Sequence, residues 1–80
     1  MGLRLVFLGR LEDVAGEGER TVALVPGINA LFASLEPALV EALQAPRVKI
    51  ALNGALLQGS DSPLLKDGDE IAFLPPVSGG

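Results

Sequence analysis

The chain has 80 residues, 49% of them apolar, a formal charge of −4, and no cysteine, histidine, tyrosine or tryptophan. With a mean hydropathy of +0.45 this is one small domain that builds a core without staples; a disulfide framework, a zinc site, a thiol nucleophile and an imidazole base are excluded. Six Lys and Arg are scattered among ten Asp and Glu, which excludes a nucleic-acid surface, because that needs clustered positive charge to displace phosphate counterions, and favours a partner with a basic surface.

Leu3-Arg4-Leu5-Val6-Phe7-Leu8 is rich in strand formers and predicts the first strand, with Leu3, Leu5 and Phe7 on one face and Arg4, Val6 and Leu8 on the other. This apolar stretch is too short for a signal peptide, and no run approaches a membrane span, so a cytoplasmic protein is expected. Residues 9–18 predict a connection from which Leu11 and Val14 dip into the core. Arg20 to Val25 predicts a second strand, ended by the turn chemistry of Pro26-Gly27. Asn29 is placed as the N-cap of a helix in which Ile28, Leu31, Phe32 and Leu35 form one buried stripe. Pro37 suits a first turn, so Pro37 to Leu43 predicts a second helical piece.

Arg47 to Asn53 returns to strand periodicity, with Val48, Ile50 and Leu52 inward and Lys49 and Ala51 outward. Asn53-Gly54 is a hairpin signal leading to a short strand at Ala55 to Leu57. Gln58 to Asp69 reads as loop, with turns at Ser62-Pro63 and Lys66-Asp67-Gly68-Asp69. Glu70 to Leu74 is a last strand pointing Ile71 and Phe73 inward, stopped by Pro75-Pro76, neither of which can donate to a ladder. The order ββαβββ predicts an α+β fold: a β-grasp roll whose mixed sheet of four to five strands is covered by one main helix. Residues 1–74 form the domain and residues 75–80 an extended tail.

Conventional catalytic groups are few. Ser34, Ser60, Ser62 and Ser78 have no histidine to activate them. Asp61, Asp67, Asp69 and Glu70 lack the alternating oxygen spacing of a calcium loop, so no metal site is expected. Gly16-Glu17-Gly18 lacks the Lys-Ser/Thr end of a phosphate loop and its acidic neighbours repel phosphate. It reads as a turn.

The C-terminus differs. Pro75-Pro76-Val77-Ser78-Gly79-Gly80 leaves a strand, stiffens through two prolines and ends in two residues without side chains. Six extended residues reach about 20 Å, enough to thread a channel and present a terminus inside another protein's active site. Glycines suit a channel with no room for Cβ atoms. A fraying terminus does not need a stiff lead-in. A free carboxylate is a poor electrophile, but adenylation by a partner enzyme using ATP makes it transferable, and a sulfur donor then converts it to a thiocarboxylate.

Residues 66–80, Lys-Asp-Gly-Asp-Glu-Ile-Ala-Phe-Leu-Pro-Pro-Val-Ser-Gly-Gly, resemble the C-terminal signature of the molybdopterin synthase small-subunit (MoaD) family of ubiquitin-like proteins. Leu5-Val6-Phe7-Leu8 and Leu11-Glu12-Asp13-Val14-Ala15-Gly16 resemble that family's first strand and following loop, so the likeness spans essentially the whole chain. It implies a sulfur carrier. Gly80 is adenylated by an E1-like enzyme, a sulfur donor protein supplies the thiocarboxylate, and the tail (Pro75, Pro76, Val77, Ser78, Gly79) inserts into the large synthase subunit. There Gly80 gives its sulfur to cyclic pyranopterin monophosphate, and two such transfers build the molybdopterin dithiolene. The resemblance also implies a heterotetramer in which the large subunit holds the catalytic side chains, and no cofactor bound by this chain. Gly9-Arg10 stands where the family often has alanine and another polar residue, Leu74 where an aromatic is common, and Ser78 where threonine is frequent; these departures bear on partner fit.

If the first and last strands are parallel neighbours, their outward residues align in tiers: Arg4 with Glu70, Val6 with Ala72, Leu8 with Leu74. The first tier is a surface ion pair worth little. Val6, Leu8, Ala72 and Leu74 form an apolar patch running into the tail, which predicts a partner interface. Three other readings stand beside this one: a carrier for thiamine synthesis or tRNA thiolation, a ubiquitin-like modifier joined to lysines, and an interaction domain whose tail has no chemistry.

Overall fold

Strict alternation in the first strand organises the sheet. In the computed structural model, which describes residues 2–58 and 61–76, β1 spans Leu3–Phe7 and buries Leu3, Leu5 and Phe7 while leaving Arg4 exposed. The remaining elements are α1 (Arg10–Ala15), β2 (Glu19–Val22), α2 (Ile28–Ala33), α3 (Pro37–Leu43), β3 (Lys49–Leu52), β4 (Ala55–Leu56) and β5 (Glu70–Leu74). The five strands lie in the order β2-β1-β5-β3-β4. The central pair, β1 and β5, is parallel, and the other neighbours are antiparallel. This is the β-grasp arrangement.

One face of the sheet carries the core. Leu3, Leu5, Phe7, Ile71 and Phe73 from the central strands meet Leu31, Leu39 and Leu43 from the helices, all essentially inaccessible. Full burial of such side chains contributes about 1.5–3 kcal/mol each. Phe7 and Phe73 stack with centroids 5.6 Å apart, and Phe32 tilts against Phe73 at 6.2 Å. The aromatic cluster thus holds the end of β5, which leads to the tail, against the end of β1. Leu65, 6% exposed, anchors the long loop, and its N–H donates to the Pro26 carbonyl (3.0 Å).

Several local expectations change. Residues 10–15 are a helix, so the order is βαβααβββ. Gly9 opens it, Glu12 and Asp13 in its first turn complement the macrodipole, and Gly16 ends it in the left-handed region (φ 83°). On a helix Leu11 and Ala15 share a face while Val14 turns away: Leu11 is 3% exposed and Val14 49%. Asn29 is not the N-cap. Gly27 holds extended backbone and the Leu31 N–H donates to its carbonyl (3.0 Å), so α2 begins at Ile28. The sheet is covered by the short helices α2 and α3 rather than one main helix, because Pro37, at the start of α3, cannot continue a helix interior. β2 starts one residue earlier than expected and stops at Val22. Ala51 lies on the outer face as expected, yet is only 7% exposed, on a strand flanked on both sides, by Ala72 of β5 and Leu56 of β4.

Candidate functional site

The parallel register continues to the end of the central pair. The Leu8 N–H donates to the Phe73 carbonyl (3.1 Å), one residue beyond the last pairing, Phe7 opposite Phe73. Pro75 follows directly and, having no N–H, ends the ladder. Its ring lies over Gly9, where the chain turns from β1 into α1 with φ 55° and ψ −136°. A Cβ on Gly9 would stand 2.9 Å from the Pro75 Cγ and 3.8 Å from its Cδ. Glycine therefore serves this corner twice, permitting the backbone angle and leaving room for the ring. Pro76 is also partly buried. The predicted tail residues Val77, Ser78, Gly79 and the reacting Gly80 lie outside the described residues.

Side chains directly paired across strands share a face, so the pairings define the outer surface. Arg4 is opposite Glu70 and Val6 opposite Ala72. Ala72 is opposite Ala51 and Leu74 opposite Lys49, and Ala51 is opposite Leu56. Val6, Ala72, Ala51 and Leu56 therefore form a continuous apolar row across four strands, and Leu8 and Leu74 lie beside it toward the tail. Leu8 is 41% and Leu56 57% exposed; Val6, Ala72 and Leu74 are half-buried. Ala51 and Leu56 extend the four-residue patch expected from sequence. Their membership was available in the Asn53-Gly54 turn, because a two-residue loop places Leu52 opposite Ala55 and Ala51 opposite Leu56.

Charge sits at the margins of this face. Arg4 Nε is 2.9 Å from Glu19 and its Nη1 is 3.6 Å from Glu70. Away from the patch, Arg20 ties three elements together at the rim of the core. Its guanidinium contacts Glu36 at 2.7 Å and Glu17 at 2.7 Å, donates to the Ala15 carbonyl at 3.0 Å, and lies 5.7 Å from the centroid of the Phe7 ring. The hydrogen bond from Arg20 holds the Glu36 carboxyl below the usual carboxylate range, and the bonds Arg20 donates to Glu36 and Glu17 raise its own pKa. Asp69 is likewise lowered, first by the Asn53 amide and then by the Lys66 N–H. These are fold-holding contacts. Among the described residues no group of carboxylates is arranged to hold a metal ion, and no helix is long and apolar enough to cross a membrane.

A strand, two prolines and an apolar outer face thus converge on the end of the chain, and the comparisons with known proteins agree. The family model described as the ThiS family matches residues 5–80. The chain belongs to the ThiS family. Within it, this ThiS-family chain is 33% identical over 85 residues to the molybdopterin synthase sulfur carrier subunit of Chlamydomonas reinhardtii, covering 100% of both chains. Among solved structures it resembles the complex of subunits 1 and 2 of molybdopterin-converting factor from Helicobacter pylori 26695, with 33% identity, 100% of both chains covered and a TM-score of 0.71. It also resembles the small archaeal modifier protein 1 of Methanosarcina acetivorans, with 27% identity, 98% of this chain and 95% of that chain covered, and a TM-score of 0.81.

Proposed function

We propose that this chain is the sulfur carrier subunit of a molybdopterin synthase and works in the cytoplasm. The carrying observation is the end-to-end likeness to a curated sulfur carrier subunit at 33% identity, in a chain that itself ends Gly79-Gly80. The Gly80 carboxylate attacks the α-phosphorus of ATP in an E1-like enzyme, pyrophosphate leaves, and an acyl adenylate forms. The persulfide of a sulfur donor protein displaces AMP from the carbonyl carbon to give an acyl disulfide. A second thiol, forming a disulfide with the donor's sulfur, releases the thiocarboxylate, a better nucleophile than the oxygen acid. The large subunit then receives the tail, supplies the catalytic side chains, and directs the sulfur to cyclic pyranopterin monophosphate. This division of labour suits a chain with no histidine or cysteine.

Val6, Leu8, Ala72 and Leu74, with Ala51 and Leu56, form the docking face for the large subunit. The solved complex of the Helicobacter subunits supports a large-subunit partner. The patch is apolar at its centre with charge confined to the edge, the usual anatomy of an interface. Pro75 and Pro76 fix the backbone where it leaves this face.

Intact mass after incubation with ATP, the activating enzyme and a sulfur donor tests the reading. One oxygen replaced by sulfur, located at Gly80 by fragmentation, supports it; an unmodified mass with a demonstrably active enzyme overturns it. The likeness to an archaeal modifier protein favours a second reading, conjugation to lysines after the same adenylation. Isopeptide-linked species on denaturing gels identify that outcome. Transfer to the thiamine-pathway or tRNA-thiolation acceptor, in place of the pterin, would reassign the pathway while keeping the chemistry.

A further inference from the structure

We propose that Arg47 and Lys49 are the orienting cations of the docking face, and that they meet carboxylates of the large subunit at the mouth that admits the tail. This rests on the carrier reading above and adds the determinant of docking direction.

Lys49 is paired with Leu74 across the sheet, so it stands beside the last strand residue before Pro75 and borders the apolar patch. Arg47 lies two residues earlier, at the same end of the sheet. Both are exposed. The other cations of the sheet are already compensated: Arg4 by Glu19 and Glu70, Arg20 by Glu17 and Glu36. Among the described residues neither Arg47 nor Lys49 has a carboxylate within ion-pairing distance.

The surrounding charges give this edge a direction. Arg4 and Glu70 at the far end of the outer face, with Glu19 beside Val6 on the β2 edge, leave one net negative charge. On the other flank of the tail base, α1 carries Arg10, Glu12 and Asp13, a net charge of −1. The net charge beside the exit is therefore positive on the β3 side and negative by one on the α1 side, in a chain whose overall charge is −4. An apolar patch alone fixes area but not rotation. A charge pair beside the exit fixes rotation, and rotation decides whether an extended tail enters a channel or misses it. The backbone supplies a second sign. Arg47 has φ 75°, a left-handed conformation that glycine adopts without penalty and a long side chain does not. A charged side chain at a strained position points to a role for that charge.

Association of the full chain with its cognate large subunit is the test, followed by stopped flow at about 0.05 M and about 0.5 M salt, where screening lengths differ severalfold. Lys49→Glu is expected to slow association about tenfold at low salt, with the gap closing at high salt and the dissociation rate changing less than about twofold. Lys66→Glu makes the same change in net charge in the turn before β5, at the opposite end of that strand, and is expected to stay within about twofold of the parent. Arg47→Gly, which suits the turn, is expected to retain or raise Tm while slowing association about threefold. Equal slowing by Lys66→Glu overturns the proposal, as does parental or faster association of both Lys49→Glu and Arg47→Gly. A parent chain that does not bind the large subunit overturns the carrier reading instead.

Discussion

Gly9→Ala tests how the base of the tail is built. The substitution has two separable costs. An L-residue at φ 55° and ψ −136° occupies a sparsely populated region, at about 1–3 kcal/mol. The new methyl also meets the Pro75 Cγ at 2.9 Å, where carbon atoms pack at about 3.5–4.0 Å, so a stiff ring must retreat by about 0.6 Å or more; overpacking of this kind costs about 1–3 kcal/mol. Together the loss is about 2–6 kcal/mol from a domain whose total stability is about 4–12 kcal/mol on the usual per-residue scale. At about 4–8 °C per kcal/mol for a chain this size, Tm falls by at least about 8 °C. Thermal unfolding by circular dichroism measures it, with Gly16→Ala as the reference. Gly16 also has positive φ, 83°, but nothing lies within 4 Å of its would-be Cβ, so it reports backbone cost without the contact. In a Pro75→Ala background the excess of Gly9→Ala over Gly16→Ala should shrink, because an alanine side chain has no Cγ. If Gly9→Ala costs no more than Gly16→Ala, the ring does not pack on that corner and this account of the tail base is wrong. By the same geometry, the alanine that the resembled family often carries here requires a proline ring set further out or a differently turned corner.

Other outcomes follow from the same contacts. Leu8→Asp, Leu56→Asp and Leu74→Asp should each weaken large-subunit binding at least about tenfold by calorimetry, since a buried unpaired carboxylate is costly at an interface, while far-UV spectra stay native. Removal of Gly79 and Gly80 should abolish thiocarboxylation seen by intact mass and leave Tm unchanged. Glu36 and Asp69 have folded pKa values below their ordinary values of 4.5 and 3.8. Their stabilisation is therefore present above those ordinary values and is lost as pH falls through the folded ones. Urea midpoints across the acid range should drop accordingly, and Arg20→Ala or Asn53→Ala should flatten the drop. Phe73→Ala removes the ring stacked on Phe7 and Phe32 and should cost about 3–5 kcal/mol, a large fraction of the total; loss of the unfolding transition at ambient temperature is the readout.

What could be read in advance depended on the period of each segment. The strands through Leu3, Leu5, Phe7 and through Ile71, Phe73 alternate cleanly, and their inward sets are the fully buried ones. The parallel register of those two strands matched the expected tiers of Arg4 with Glu70 and Val6 with Ala72. Helix α1 was hidden because six residues framed by Gly9 and Gly16 show more turn chemistry than periodicity, and only its Leu11–Ala15 pair faces the core. Sequence places Arg20 on the second strand but cannot place its contacts. Its partners Glu36 and Ala15 belong to different elements, and only the folded chain brings them to one strand. The tail was legible as composition, two prolines and two glycines, whereas the Gly9–Pro75 contact at its base is a long-range pairing with no local signal.

The central strands have no spare face, and this constrains how the chain can vary. Residues 5, 7, 71 and 73 are buried against the helices, while residues 6, 8, 72 and 74 form the outer patch. A register slip of one residue in β5 would exchange the two sets, sending Phe73 to the docking face and Leu74 into the core. The aromatic stack of Phe7 on Phe73 (5.6 Å) opposes that slip, and so does the shape of the outer row, where Ala72 and Ala51 leave no large side chain to bury. Fold stability and docking therefore share one determinant, the register of β5 against β1. A core substitution that loosens that register without unfolding the chain should weaken partner binding through residues it never touches. Phe73→Leu is the variant that tests this. It keeps an apolar core side chain, loses the ring stack, and should weaken large-subunit affinity by more than Leu39→Val in α3, whose side chain is just as buried but borders neither strand end. Equal binding by the two variants at matched stability would separate docking from register and leave the outer patch energetically independent of the core.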